Sequence, residues 1–265
     1  MISRRHLIFR RCGRSVLLGF AIMMAPTSSS ASTQPPDAVA QIIHDALAAE
    51  ARFDSKNALA LFLRADAARP NDATIIQKIS RQYSDLTIDT HDLAEKKRLC
   101  TLALEYAQRA VALEPRNAVN VLSLAISYGK LGLYSDTRTR IEYSRFVKQY
   151  AERALELDPN YAYAHHVLGR WNYEVASLGA AKRLVVSLVY GGLPAASTAE
   201  AVRHLRRAVE LAPSVPAHRV ELGFALLADG QRAAAREAFQ QALTLPSREK
   251  YDDEARQRAR AALEK

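Results

Sequence analysis

The chain has 265 residues, 49% of them hydrophobic and 25% charged, an ordinary globular balance. Two Cys exclude a disulfide-stapled miniprotein or a multi-cysteine metal ribbon, and ten Gly with ten Pro exclude a low-complexity chain. The net charge of +9 comes mostly from residues 1–36, which hold five Arg and no acid; beyond them 32 basic residues face 28 acidic ones, too small an excess for the basic stripe of a nucleic-acid binder, and no nucleic-acid partner is expected.

Residues 1–31 read as a cleaved export signal. A basic region ends at Arg14, an apolar run covers Val16 to Ala25, and Ser29-x-Ala31 fits a cleavage site. The run is too short for a permanent membrane helix, which needs about 20 apolar residues. No transmembrane helix is expected in the mature chain. SRRHLI at 3–8 also resembles a twin-arginine signal. Export to a bacterial periplasm is the reading, with a mitochondrial presequence as the alternative, since the stretch is rich in Arg and Ser. Cleavage removes Cys12 and leaves Cys100 inside a helical pattern, where a buried, inert thiol is expected.

After a linker at 32–37, one pattern keeps returning: Ala, an apolar residue four on, Ala three further, then Pro. Ala58-Phe62-Ala65-Pro70, Ala103-Ala107-Ala110-Pro115 and Ala201-Leu205-Ala208-Pro213 fit it. Val147-Ala151-Ala154-Pro159 fits with one change, and Ala235-Phe239-Ala242-Pro246 fits with its Pro one residue early. Each block predicts an amphipathic helix stopped by Pro. A second pattern precedes each block: apolar, apolar three on, small, then bulky. It runs through Ile76-Ile79-Ser80-Tyr83 and Val121-Leu124-Ala125-Tyr128, and loosely through His165-Leu168-Gly169-Asn172 and Arg219-Leu222-Gly223-Leu226, with Ala46 at the small site of a weaker first unit. The small residue lets the following helix approach closely.

In order, the two patterns resemble the tetratricopeptide repeat, which implies an all-α, right-handed solenoid of helical hairpins. Five units cover about residues 38–260, ahead of a short end at 261–265. The small site precedes the first Ala of the block by 12 residues in units one and five, but by 23, 22 and 32 in units two, three and four. The middle units therefore carry inserts that lengthen helices or add turns on one side of the stack.

Unit four carries a closer likeness. Gly169-Arg170-Trp171-x-Tyr173, Ala176, Leu178, Arg183, Tyr190-Gly191, Leu193-Pro194 and Ser197-Thr198-x-Glu200-Ala201 resemble the regulator of microtubule dynamics family. That resemblance implies a non-enzymatic binding domain of tetratricopeptide type, with lipid binding as a further expectation. The apparent export signal and the lack of a long coiled-coil arm depart from it. The fold and a binding groove are carried over, the microtubule role is not.

In such a stack the first helix of each pair faces the concave side. Helical phase then predicts groove residues Gln77, Arg81, Lys130, Tyr163, His166, Arg170, Tyr173, Phe224 and Leu227. Arg81, Lys130 and Arg170 would meet an anionic group, and the aromatics would hold apolar surface. Against this, Arg170 would simply pair with Glu174 four residues on, and the aromatics would fill the superhelix. Trp171 lies off the groove phase and is expected in core or insert packing. The insert AAKRLVVSLVYGGLP reads as a helix packed on the solenoid, or else as a membrane-contacting helix or a lid.

Catalytic motifs are missing: there is no HExxH, Gly-rich phosphate loop or GxSxG. His165 and His166 diverge by about 100° on a helix and make a poor metal pair. The carboxylates Asp252 and Glu254 read as the solvated face of a capping last helix. No catalytic residue, metal or cofactor is expected. The leading reading is a scaffold that holds a peptide or protein segment; a lipid or amphiphile carrier is the alternative, and an enzyme the third.

Overall fold

The computed structural model describes residues 36–264, with side chains from residue 38. The expected signal peptide and its cleavage site lie outside the described residues. Among those described are twelve helices: α1 (Pro36–Ala51), α2 (Ser55–Ala68), α3 (Ala73–Asp89), α4 (Leu93–Leu113), α5 (Ala118–Gly132), α6 (Thr137–Leu157), α7 (Ala162–Ala176), α8 (Ala180–Tyr190), α9 (Thr198–Leu211), α10 (Pro216–Ala228), α11 (Arg232–Thr244) and α12 (Asp252–Leu263). No helix among them is long and apolar enough to cross a membrane.

Local chemistry sets the helix ends. Asp54, Asp72, Asp92, Asn117, Asp136 and Ser197 each precede a helix and accept an amide two or three residues on, a cap typically worth about 1 kcal/mol. Pro70, Pro115, Pro159 and Pro213 stand second in the four-residue links that follow α2, α4, α6 and α9. Proline has no amide to continue a helix and turns the chain there. The link after α11 is longer, running from Leu245 to Tyr251.

The hairpins are α1/α2, α3/α4, α5/α6, α7/α9 and α10/α11. Contacts also join α3 to α5, α5 to α7, α7 to α10 and α10 to α12, so the first helices from α3 onward form a continuous inner layer. The core is a series of clusters passed from unit to unit, as expected of a quasi-one-dimensional stack. The small sites do what their spacing predicts. A Cβ on Gly169 would fall 2.6 Å from Leu205 Cγ, and one on Gly223 would fall 2.4 Å from Phe239 Cε1. Ser80 uses its small side chain to donate to the Ala103 carbonyl at 2.7 Å.

Two inserts lengthen helices: α4 and α6 have 21 residues, against 14 in α2 and 13 in α11. The third forms α8, which contacts α6 and buries none of its side chains. The expectation of a helix packed on the solenoid is corrected here, since Leu184, Val185, Leu188 and Val189 are 54–76% exposed. Arg145 holds the end of α8 by donating to the carbonyls of Tyr190 and Gly192. Trp171 is buried and its indole N–H reaches the Ser144 carbonyl at 2.8 Å, which ties α7 to α6. Cys100 is buried as expected, and burial pushes its thiol pKa up.

Gly223→Ala is expected to lower the unfolding free energy by about 1–3 kcal/mol, because the buried Phe239 ring has no room for the methyl group. Gly129→Ala, whose methyl meets only Val147 Cγ2 at 3.5 Å, should leave stability unchanged or raise it by up to about 1 kcal/mol. Urea unfolding followed by circular dichroism measures both, and equal effects would show that close approach at Gly223 does not limit packing.

Candidate functional site

The inner layer carries the predicted groove residues, but a turn of the same chain lies against them. Pro246 ends α11 early, and the long link after it crosses the concave side of the superhelix. There the Tyr163 hydroxyl donates to Glu249 Oε1 at 2.6 Å, and the Arg81 guanidinium donates to Glu249 Oε2. Lys250 donates to the Phe53 carbonyl at 3.1 Å and pairs with Asp89 at 2.9 Å. The Tyr251 hydroxyl accepts from Arg170 at 3.1 Å and from Arg258 at 2.5 Å, and donates to Glu221 at 3.1 Å. Side chains from units two, four and five, with the Phe53 backbone carbonyl of unit one, thus converge on three consecutive residues.

The cations are neutralised from within. Arg81 pairs with Glu50 at 3.3 Å and Asp85 at 3.7 Å besides Glu249. Burial pulls its pKa down, but Glu249, Asp85 and Glu50 outweigh that and raise it. Lys130 donates to the Ser84 carbonyl at 2.7 Å; burial lowers its pKa, against the attraction of Asp85. The same burial raises the pKa of Asp85. Arg170 does pair with Glu174, at 2.8 Å, and also reaches the fully buried Glu221 at 3.7 Å. Glu221 is held by Arg258 at 2.6 Å, a cationic partner for a fully buried carboxyl group. Burial pushes the Tyr251 hydroxyl up to about 12 and raises the pKa of the Tyr163 hydroxyl as well.

The remaining predicted residues take separate places. Gln77 bridges to α5, donating to Ser123 Oγ at 3.1 Å. Tyr173 and Phe224 pack on the last core cluster. Phe224 meets Phe239 edge-on at 5.0 Å and lies under the Arg258 guanidinium at 4.6 Å. Leu227 is 40% exposed. His166 points at His218, with Nδ1 atoms 3.0 Å apart. Its neighbour His165 turns the other way, to His204 at 2.9 Å.

The reading of Asp252 and Glu254 as a solvated face is corrected for Asp252. That carboxylate is fully buried and accepts the amides of Ala217, Arg248 and Glu249 at 2.7–3.1 Å. Hydrogen-bond need overrides the local charge pattern, because the Asp closes the inward turn. Glu249, Tyr251, Glu221 and Arg258 were missed as candidates. Pro246 gave no signal of the longer link, since it stands second after α11 just as the other four Pro stand after their helices.

A polar relay crosses the α7–α9 contact. The Arg203 guanidinium reaches His204 Nε2 at 3.0 Å, and His165 Nε2 reaches the Pro159 carbonyl at 3.0 Å. This pattern assigns one proton to each ring: His204 Nδ1 donates to His165 Nδ1, and His165 Nε2 donates to the carbonyl. Both rings are therefore neutral. Next to them lies a cavity of about 630 Å³ lined by His165, Arg203, Arg206 and Arg207 among others.

Paired helices in a stacked inner and outer layer, with convergent polar groups on the inner face, define a tetratricopeptide-type helical solenoid. A family model described as "Regulator of microtubule dynamics protein 1-3" matches residues 42–265, and the chain belongs to that family. It is similar to Regulator of microtubule dynamics protein 3 of Xenopus laevis, 31% identical over 179 residues, covering 67% of this chain and 39% of the frog protein. It is also similar to Regulator of microtubule dynamics protein 1 of Bos taurus, 28% identical, covering 54% of this chain and 45% of the cattle protein. The chain thus spans less than half the length of these relatives. Among solved structures, a thermophilic tetratricopeptide protein of Thermus thermophilus matches 86% of this chain and all of its own, at 23% identity and a TM-score of 0.62, which shows the fold.

The four histidines generate a pH prediction. Burial lowers His218 to about 2, His166 to about 3 and His204 to about 4, and it lowers His165 as well. Arg203, His165 and Lys148 also disfavour a proton on His204, while Glu200 favours one. An unfolded chain takes these protons near pH 6.5. The stability from a neutral His204 is fully present above that value and is lost as pH falls from about 6.5 toward about 4. His204→Gln is expected to flatten this fall by up to about 1.4 kcal/mol per pH unit, read from urea midpoints between pH 7 and about 4.5. An unchanged slope would mean that the ring is not held neutral.

Proposed function

We propose that this protein is a non-enzymatic scaffold that holds a peptide or protein segment on the concave face of its solenoid. The observation that supports this is that the inner wall already holds a peptide turn, by side-chain contacts from three units and one backbone carbonyl from a fourth. Arg, Tyr and carboxylate groups at fixed spacing suit the recognition of a polypeptide's polar side chains. Phe224, with Leu227 exposed one turn on, adds apolar area at the C-terminal end of the same face. The relatives are named for the regulation of microtubule dynamics; the proposal for this chain is confined to binding. The basic, acid-free leader supports targeting away from the site of synthesis, by export or by mitochondrial import.

A second reading, amphiphile binding, is favoured by α8. Its four large apolar side chains face solvent, Lys182 and Arg183 flank them, and no acid occurs between Glu174 and Glu200. Such a helix suits a lipid surface.

Native mass spectrometry of the full chain, purified from its own cells before and after solvent extraction, separates the two. The expected result is no small mass lost on extraction, and crosslinks from a benzophenone side chain at position 227 to one partner segment. Phe224→Asp should abolish those crosslinks. A stoichiometric amphiphile released by solvent would overturn the peptide reading in favour of the second.

A further inference from the structure

We propose that the turn Ser247–Tyr251 is an internal ligand, and that the concave site takes a partner segment carrying a carboxylate and a tyrosine two residues apart. This rests on the peptide-holding reading of the concave face and names what that face recognises.

Three features of the turn support it. First, its contacts are those of a ligand. Glu249 joins Arg81 of α3 to Tyr163 of α7, residues that lie 168 and 86 positions away in sequence. Tyr251 enters a pocket of Arg170, Arg258 and Glu221, where its hydroxyl both accepts and donates. A carboxylate without a tyrosine would leave Glu221 and the two Arg without that hydroxyl, and a tyrosine without a carboxylate would leave Tyr163 without its acceptor and Arg81 with only Glu50 and Asp85. The pair therefore specifies the site better than either group alone.

Second, the turn is anchored behind itself, not through itself. Asp252 accepts the amides of Arg248 and Glu249 and also that of Ala217, and Ala255 and Ala259 of α12 are buried on the last core cluster. The turn closes on its own Glu249 carbonyl, to which Asp252 donates its amide at 3.0 Å. Its links to the inner wall run through the side chains of Glu249, Lys250 and Tyr251. Those can be exchanged for equivalent groups of another chain while α12 stays in place.

Third, the link has residues to spare. The other links from a second helix to the next first helix have four residues, whereas this one runs from Leu245 to Tyr251. The extra length brings the turn inward and supplies the slack for its withdrawal. The partner segment would match it in kind: a turn that presents Glu-x-Tyr, with a cation between them for Asp89.

The test uses a fluorescein-labelled peptide of residues 246–254, PSREKYDDE, and fluorescence anisotropy with the full chain. In one variant the turn is vacated by Glu249→Ala with Tyr251→Ala. In a second it is weakened conservatively by Glu249→Gln with Tyr251→Phe, which keeps the shape. Circular dichroism confirms folding, and hydrogen exchange of amides 247–252 confirms that the turn has opened. The expected result is at least tenfold tighter peptide binding to the vacated variant than to wild type, with the conservative variant between them. Replacing the peptide's glutamate by alanine, or adding Arg81→Ala to the vacated variant, should remove the gain. Equal binding to wild type and an opened variant, or binding to neither, would overturn the internal-ligand proposal. If partner crosslinks from position 227 persist in that case, only this proposal falls; if they too are missing, the peptide-holding reading falls with it.

Discussion

Everything in this fold depends on how closely the two helices of each hairpin approach. At five positions the first helix offers a small residue: Ala46, Ser80, Ala125, Gly169 or Gly223. The second helix answers with the face that carries the Ala and aromatic or aliphatic knobs, such as Leu205 and Phe239. Close approach buries side chains that no single helix could bury alone, and the stack repeats it unit after unit. Because each unit leans on the next, the first helices align, and a shared inner wall exists only as a result of that alignment.

The inner wall then creates its own problem. A surface that curves inward brings like charges together and strips them of water, and Arg81, Lys130, Arg170 and Arg258 would be costly there without partners. The chain resolves this with carboxylates from several elements: Glu50 of α1, Asp85 of α3, Glu221 of α10 and Glu249 of the last link. Carboxylate and cation stabilise each other in pairs, and the histidines between them stay neutral because burial disfavours their charge. The concave face is thus a polar interior closed by the chain itself.

Helix α8 stands apart from this logic. Its apolar residues recur at helical spacing, as a packed helix would require, yet they face solvent. The hairpin of unit four is complete without it, since α7 packs directly on α9. The insert therefore has no place left in the stack, and Arg145 fixes its end through backbone carbonyls instead of core contacts.

By itself the sequence determined the fold. Spacing of small residues, Ala blocks and Pro stops is a local property, and local spacing is enough to place helices, pair them and number the units. It also placed Arg81, Tyr163, His166 and Arg170 on one inner wall, because helical phase follows from position alone. What met those residues was decided only in three dimensions. Glu249 lies 168 residues from Arg81, and Lys250 lies 197 from Phe53, so no periodicity connects them. The charged stretch around Asp252 looked like a solvated cap because its neighbours in sequence are acidic, whereas its neighbours in space are backbone amides. Tertiary structure turned a surface pattern into a buried one, since the curvature of the whole stack sets which segment crosses its interior.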